Sequence, residues 1–280
     1  METDEKRIET LSIDVSRVIY EKNKKLHNLL PTFFINYLRH IIHEEELNEN
    51  ILNHKELKNI DFVNMAISYF NITYTAFNEE YIPKNGSYII VGNHPLGGFD
   101  GLIITSLLHK YRNDILLTSN DLLMNIPNLR EMFIPINTTG TNTTELARSM
   151  EKAFQKENII LFFPAGLCSR RIKGEIVDLP WKKTFVSKAK LYQRDIIPFY
   201  FEGKNSNFFY NLSNIRKRLG IKTNIEMIYL VDELFKHRNK HFNIVIGEPI
   251  SYKSLSKDKS DYEHANEIKK IVYNLKQNLY

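Results

Sequence analysis

His94 and Asp100 lie close together in a glycine-rich segment that follows an apolar run. A neutral imidazole can take a proton from a hydroxyl group, while a carboxylate holds its other ring nitrogen and stabilises the imidazolium that forms. Pro95, Gly97 and Gly98 favour a compact turn that could fold Asp100 back onto His94. The two glycines leave backbone N–H groups unobstructed, so an oxyanion site is expected nearby. The alternative is structural, because Asp100 could instead cap the helix expected after it.

A second turn, after another apolar run, carries paired arginines. Pro164 and Gly166 turn the chain, and Ser169, Arg170 and Arg171 follow. Guanidinium groups bind phosphate or carboxylate through parallel hydrogen bonds, so the arginines predict a site for an acidic group. Gly166 would let the backbone approach that group. The alternative is a solvated basic loop. Further positive charge lies nearby in the sequence, at Lys173, Lys182 and Lys183.

The composition is that of a folded protein of 280 residues, 42% hydrophobic and 25% charged. The formal net charge of +5 favours anionic partners such as phospholipid, CoA or an acidic carrier protein. No base-reading motif is present, so no nucleic-acid partner is expected. Cys168 is the only cysteine, which excludes an intramolecular disulfide. It could accept an acyl group, but a small packed residue is the expected role.

Short apolar runs alternate with helical segments from residue 87 onward. Strands are predicted at 88–91, 115–118, 133–136, 159–163, 196–201 and 242–246, and helices at 101–111, 143–155, 182–192, 207–219, 225–235 and 261–279. A helix cap is expected near Asn142, a helix stop at Gly220, and an edge or bulge position at Pro198. The alternation predicts an α/β fold with a mixed, mainly parallel sheet flanked by helices. In such folds sites gather at the strand ends, where both turns begin.

The N-terminal part reads differently. Residues 14–47 are predicted to be helical, and within them the uncharged segment 26–38 is rich in bulky apolar residues with cations on both sides. Such a segment predicts a membrane-interfacial helix, with a helix packed on the domain core as the alternative. No apolar run has the ~20 residues that a spanning helix needs. We therefore expect an N-terminal helical region at 1–80, lying on a membrane surface, and an α/β domain at 81–280.

In their order and separation, these segments resemble the blocks of the glycerolipid (lysophospholipid) acyltransferase superfamily, which includes 1-acylglycerol-3-phosphate acyltransferases. That family has an Asn-His-x4-Asp block, a middle substrate-binding block, a Phe-Pro-Glu-Gly-x-x-Ser block followed by basic residues, and a last block. The resemblance covers roughly residues 85–205. The matching segments here are Asn93-His94 with Asp100, Phe133-Ile134-Pro135, Phe163-Pro164-Ala165-Gly166 with Ser169 and Arg170, and Ile197-Pro198.

The chain departs from the family pattern at several positions. Five residues, one more than in the family, separate His94 from Asp100. Ala165 replaces the usual glutamate, so head-group recognition is expected to differ from that of glycerol phosphate. The middle block lacks its usual arginine after the strand, and Arg130 lies before it instead. The form His-Pro-x-Gly-x-x-Asp-Gly resembles a bacterial subgroup described as hemolysin-like or lyso-aminolipid O-acyltransferases.

The resemblance implies an O-acyltransferase that moves a fatty acyl group from acyl-CoA or acyl-carrier protein to the hydroxyl of a lyso-lipid. The implied acceptor is a lyso-aminolipid, such as a lyso-ornithine or lyso-glycine lipid, or a lysophosphatidate. His94 would be the general base and Asp100 its orienting carboxylate. The implied substrate-binding residues are Asn93, Gly97, Gly98, Phe163, Pro164, Gly166, Ser169, Arg170 and Arg171.

Neither a metal nor a cofactor is expected with this chemistry, and no covalent intermediate is expected. The implied location is the cytoplasmic face of the inner membrane, as a peripheral protein. Two other classes of function stay open. One is an acyl thioesterase or lipase, which would use the same base to activate water. The other is a non-catalytic protein that binds membrane lipid or acyl-carrier protein.

Overall fold

The computed structural model describes residues 12–119, 126–135 and 144–279. Its helices are α1 Val15–Lys22, α2 Lys24–Leu29, α3 Thr32–Ile41, α4 Glu44–Asn53, α5 Asn59–Tyr69, α6 Phe99–His109, α7 Thr144–Gln155, α8 Thr184–Tyr192, α9 Asn207–Arg218, α10 Leu230–Lys236 and α11 Asp261–Asn274. Its strands are β1 Thr73–Phe77, β2 Tyr88–Gly92, β3 Ile115–Ser119, β4 Phe133–Pro135, β5 Ile159–Phe162, β6 Arg170–Ile172, β7 Glu175–Val177, β8 Asp195–Phe201 and β9 His241–Ile246. Short 3₁₀ helices lie at Glu79–Tyr81, Pro127–Met132, Ile225–Tyr229, Tyr252–Ser254 and Leu275–Leu279.

The main sheet joins seven strands of the described ranges in the order β1-β9-β8-β2-β5-β3-β4. Neighbouring strands are parallel except β8 and β9, which are antiparallel. β6 and β7 form a separate antiparallel hairpin. The predicted α/β fold with a mixed, mainly parallel sheet is therefore confirmed. In this order β2 lies between β5 and β8, so the two turns that follow β2 and β5 leave the same edge of the sheet.

Side chains of the central strands alternate between two hydrophobic layers, as the period of a strand requires. Ile90 and Leu161 point into a layer that α5 and α6 cover. Ile89, Ile160 and Phe162 point into the opposite layer, which α8 and α11 cover. Because both faces are covered, the strands read as continuous apolar runs rather than as alternating ones.

The N-terminal region is helical, as expected, but it is broken into short helices. Pro31 precedes α3 and has extended backbone angles, which ends the preceding helix. Val15, Leu38 and Ile41 pack α1 and α3 together and against Tyr229. The boundary expected at residue 80 falls earlier in the structure, because β1 pairs with β9 in the main sheet. The α/β part therefore begins before residue 81.

Several local expectations are corrected. β8 is an interior strand, so Pro198 does not mark an edge. On the β9 side of β8, Pro198 lies between Phe199, which pairs with β9, and Ile196, which forms a bridge with Ile250. The helix predicted at 225–235 is a 3₁₀ turn followed by α10. The cap near Asn142 and residue 136 lie outside the described residues. Within the described ranges, no helix has both the length and the apolar character needed to cross a bilayer.

Candidate active site

The turn after β2 brings His94 and Asp100 into contact. Nδ1 of His94 lies 3.0 Å from Oδ2 of Asp100, a hydrogen bond that closes despite the additional residue between them. Gly97 and Gly98 absorb that residue, because both have positive φ angles, 83° and 154°. The dyad predicted from the sequence is thus assembled in the structure.

Asp100 is fully buried in the first turn of α6. Its Oδ2 also accepts a hydrogen bond from the Leu96 N–H, at 2.9 Å. Its Oδ1 accepts from the N–H groups of Gly98 and Gly101, each at 3.0 Å. Four donors and a helix N-terminus therefore surround one carboxylate, which favours its ionised form. The aspartate both organises the turn and orients the imidazole.

Burial and charge act in opposite directions on this pair. Burial alone would lower the pKa of His94, but the charge and the hydrogen bond of Asp100 raise the pKa above its ordinary value. Burial would raise the pKa of Asp100, but His94 and the surrounding N–H groups hold that pKa below its usual range. The ionised aspartate thus stabilises the imidazolium that would form during proton transfer.

The imidazole is held on one face and open at one nitrogen. The Phe163 ring stacks on it with centroids 4.1 Å apart and an angle of 25° between the planes. Phe199 in turn packs edge-on against Phe163. The His94 side chain is 14% exposed, and no described residue bonds to its Nε2. Nε2 is therefore available to a substrate hydroxyl.

Gly97 lies at a close approach between the two turns. A Cβ added at this position would be 2.9 Å from Cβ of Cys168 and 3.0 Å from the Leu230 side chain. The Gly97 N–H has no acceptor among the described residues, whereas the Gly98 N–H is taken by Asp100. Of the two N–H groups expected to serve an oxyanion site, Gly97 is the one that remains open.

The second turn follows β5 and packs directly against the first. Gly166 has a φ of 70° and its N–H bonds to the Phe163 carbonyl at 3.0 Å. The Ser169 N–H donates to the His94 carbonyl at 2.8 Å. The Ser169 hydroxyl, buried, donates to Asp178 at 2.6 Å. Ser169 therefore joins the two turns, and its hydroxyl is already engaged where the sequence led us to expect a substrate contact.

Arg170 occupies a different place from the one expected. Its side chain is only 1% exposed, and its guanidinium lies 3.0 Å from the buried carboxylate of Glu226. Glu226 also pairs with Arg216, at 2.8 Å. An acidic substrate group could reach Arg170 only by displacing these contacts, so the structure assigns it to the protein interior. Sequence patterning does not distinguish adjacent arginines on a short strand, which point to opposite faces.

Arg171 and Lys182 are two of the accessible cations near this turn, where Lys173 and Lys183 are exposed as well. Arg171 lies over the Tyr210 ring, at 5.1 Å, and donates to the Asn207 side chain at 2.5 Å. Lys182 is exposed, and its Nζ lies 3.3 Å from the position of a Cβ added at Gly166. Among the described residues no carboxylate pairs with either cation. They are the candidates for binding an acidic group.

Two other predicted substrate contacts are structural. The Asn93 side chain is buried and exchanges two hydrogen bonds with the Phe201 backbone, at 2.7 and 2.8 Å, which ties the end of β2 to β8. Pro164 is buried, and its carbonyl accepts from the Lys182 N–H at 2.9 Å. Cys168 is buried, and burial raises the pKa of its thiol to about 11, which disfavours a role as nucleophile.

The sequence analysis missed Asp178, whose buried carboxylate contacts the backbone of His94. The available signal was an aspartate directly after a short strand-like run and before Leu179, Pro180 and Trp181. That pattern is common in loops, and only the packing of the hairpin β6–β7 against the first turn reveals its partner. Lys182 was noticed only as nearby charge, because its closeness to Gly166 is a tertiary property.

Comparison with known proteins shows the family to which the chain belongs. A family model described as "Acyltransferase" matches residues 17–280. The lyso-glycine lipid O-acyltransferase of Phocaeicola vulgatus is 43% identical over 264 residues, covering 94% of this chain and 95% of that protein. The lyso-glycine lipid O-acyltransferase of Bacteroides thetaiotaomicron is 40% identical over 264 residues, covering 94% and 97%. The crystal structure of the 1-acyl-sn-glycerophosphate acyltransferase PlsC of Thermotoga maritima has a TM-score of 0.49 and 17% identity, covering 87% of this chain and 89% of that one.

Proposed function

The chain belongs to the acyltransferase family, and from this membership and the geometry of the site we propose that it is a lyso-lipid O-acyltransferase. The observation that carries the proposal is the buried His94–Asp100 pair, with Nδ1 held at 3.0 Å and Nε2 open. A base in this state can activate a hydroxyl group, which is the acceptor in O-acyl transfer.

The proposed reaction is direct transfer. Nε2 of His94 takes the proton of the acceptor hydroxyl as its oxygen attacks the carbonyl carbon of an acyl thioester. The tetrahedral oxyanion that forms would accept a hydrogen bond from the Gly97 N–H. When the C–S bond breaks, the thiolate of CoA or acyl-carrier protein leaves, and it takes the proton from His94. The products are an ester and a thiol, and the imidazole is neutral again.

For the acceptor we propose a lyso-lipid with an acidic head group. The two relatives are named for a lyso-glycine lipid, and glycine joined through its nitrogen keeps a carboxylate. Arg171 and Lys182 are accessible cations beside the second turn, and guanidinium and ammonium groups both bind carboxylates. Ala165 is buried where the family has a glutamate, which is consistent with a head group other than glycerol phosphate.

We propose that the protein acts at a membrane surface, the cytoplasmic face of the inner membrane in a bacterial cell. Large apolar side chains project from α2 and α3 into solvent, with Leu29 79% and Phe33 73% exposed. A hydrogen bond of 2.8 Å joins Tyr37 to Tyr229, and Phe208 packs on Tyr229, so the exposed face continues onto α9. Exposed cations border it at Lys24, Lys25, Lys217 and Arg218. Apolar area with flanking cations suits an anionic lipid surface.

The test is an acylation assay with purified full-length protein. Labelled acyl-CoA and acyl-carrier protein are each offered with lyso-glycine lipid, lyso-ornithine lipid and lysophosphatidate. We expect labelled diacyl product from lyso-glycine lipid at a higher kcat/KM than from lysophosphatidate. Release of free fatty acid at the same rate with and without every acceptor would contradict the proposal and favour a thioesterase.

A further inference from the structure

We propose that Asp178 is a positioning residue for the general base, because its carboxylate holds the His94 backbone and so fixes where the imidazole meets the acceptor. This inference rests on the proposed function, which makes His94 the base. It adds a residue to which neither the sequence motifs nor the family match assigned a role. Asp178 would act through His94 and would not touch the substrate itself.

The carboxylate of Asp178 is 2% exposed and is surrounded by donors. Its Oδ1 accepts from the Ser169 hydroxyl at 2.6 Å and from the His94 N–H at 3.2 Å. Its Oδ2 accepts from Nε1 of Trp181 at 2.9 Å. Burial raises the pKa of Asp178 above its ordinary value, although the hydrogen bonds from Ser169, Trp181 and His94 act in the opposite direction. One buried carboxyl group thus connects both turns with a core tryptophan.

Ser169 of the second turn and Asp178, which follows the hairpin β6–β7, hold the two polar groups of the His94 backbone. Asp178 accepts from the N–H, and the Ser169 N–H donates to the carbonyl at 2.8 Å. Pro95 follows with a restricted φ, so the peptide has little freedom beyond these contacts. The ring is then fixed by Asp100 at Nδ1 and by Phe163 on its face. Asp100 sets the orientation of the imidazole, and Asp178 sets the position of its backbone.

Asp178 is itself held by α11, far along the chain. Its N–H donates to the Tyr273 hydroxyl at 2.7 Å, and its carbonyl accepts from Nζ of Lys269 at 2.8 Å. Lys269 and Tyr273 are four residues apart, on one face of the helix. α11 packs on α8 and β8. Asp178 therefore ties the position of the base to α11 in the body of the fold, in addition to the contacts within its own turn.

The consequence is catalytic because proton transfer depends on geometry. A displacement of about 1 Å at a reacting group can cost about 10²-fold in rate. Leucine has a side chain of the same branched shape as aspartate but no hydrogen-bond acceptor. Asp178→Leu therefore removes the contact to the His94 N–H together with the contact to the indole N–H.

The experiment compares Asp178→Leu with Trp181→Phe in the full-length protein. Trp181→Phe removes the indole donor to the same carboxylate but leaves the contact to the His94 N–H. One readout is kcat and KM for transfer from acyl-CoA, per folded protein, with folding followed by circular dichroism. The other is hydrogen exchange at the His94 amide, which needs no substrate. A failure of the proposed function would abolish transfer by the wild type, whereas a failure of the present inference would show in the exchange.

We expect Asp178→Leu to lower kcat by about 10- to 100-fold with KM within about twofold, and to speed His94 amide exchange by a similar factor. Trp181→Phe should keep kcat within about threefold while its Tm falls. Should Asp178→Leu fail to fold, Tyr273→Phe takes its place, because it loosens the Asp178 backbone by removing one hydroxyl. Tyr273→Phe should lower kcat without changing KM. Unchanged exchange at His94, with kcat per folded protein equal to wild type, would overturn the inference.

Discussion

The His94 imidazole bonds to a carboxylate at one nitrogen and is open at the other, and its chemistry follows from this asymmetry. Because Asp100 raises the pKa of His94 above the ordinary value of about 6.5, the imidazole is a stronger base than an isolated histidine. The neutral form is the one that can accept a proton. Activity should therefore rise with pH as His94 loses its proton, at a pH above that ordinary value.

Replacing Asp100 with asparagine tests this electrostatic role. Burial alone lowers the pKa of His94, so without the aspartate charge the acidic limb of kcat/KM should move to lower pH. The plateau kcat should fall by about 10²–10⁴-fold, because the imidazolium is no longer stabilised. The measurement is kcat/KM as a function of pH for both proteins. An acidic limb at the same pH in both would show that Asp100 does not control the base.

The adjacent arginines provide a matched pair for the anion site. Arg171→Ala should raise KM for the acidic substrate about tenfold or more with little change in stability, because charged hydrogen bonds contribute about 1.5–3 kcal/mol. Arg170→Ala should instead lower the free energy of unfolding, by as much as about 3–5 kcal/mol, since it leaves Glu226 with one partner fewer.

Urea denaturation and steady-state kinetics of the two alanine variants distinguish these effects. The sequence predicted a substrate contact for both arginines. Their spacing cannot show that Arg170 is buried while Arg171 is accessible, because that difference depends on the face of the strand each side chain occupies. A large KM effect of Arg170→Ala at unchanged stability would return the anion site to Arg170.

Among the elements, the two turns contribute more to the candidate site than the strands that precede them. β2 and β5 were predicted from their apolar runs, and the turns from their glycines and prolines. Contact between the turns could be inferred only in outline, from the rule that sites gather at the strand ends. The hairpin β6–β7 was missed, because its turn at Lys173-Gly174 lacks the usual Asn-Gly signal. Because the hairpin was not predicted, the contact of Asp178 with His94 could not be predicted either.

Gly97→Ala tests the close approach between the turns. The added Cβ would meet Cys168 at 2.9 Å in a backbone with a φ of 83°, so both Tm and kcat should fall. Gly174→Ala is the control, because its φ is 90° but nothing lies within 4 Å of the added Cβ. The control carries only the conformational cost of about 1–2 kcal/mol and should keep its kcat. Equal loss of kcat in both variants would assign the effect to stability alone.

Helix α3 carries the membrane proposal. Phe33→Asp should weaken binding to vesicles with anionic lipid by about 10- to 100-fold, since a buried phenylalanine contributes about 1.5–3 kcal/mol. Leu191→Asp is the control, because Leu191 is 66% exposed on α8, in the other layer of helices. The measurement is vesicle cosedimentation of both folded variants. Equal binding of Phe33→Asp and wild type would contradict an interfacial role for α3.

For the whole molecule, the class of fold followed from the alternation of apolar runs and helices, because parallel sheets covered on both faces require that pattern. The edge strand β1 could not be predicted in this way, because Thr73, Thr75 and Phe77 are exposed and the strand has one neighbour. α5 was not predicted, whereas the break before α3 has a local signal in Pro31 that the prediction of one helical region over 14–47 did not use. Strand β1, from the region predicted to be N-terminal and helical, thus belongs to the main sheet. The candidate site lies at the carboxyl ends of the central strands β2 and β5.

The central claim is that this assembly uses His94 to transfer an acyl group to a lyso-lipid hydroxyl, and His94→Ala tests it most directly. The measurement is diacyl product formed from labelled acyl donor and lyso-glycine lipid, by wild type and by variant, with circular dichroism of both. We predict product with the wild type and a loss of at least about 10²-fold in the folded variant. Transfer by folded His94→Ala at the wild-type rate would contradict the account.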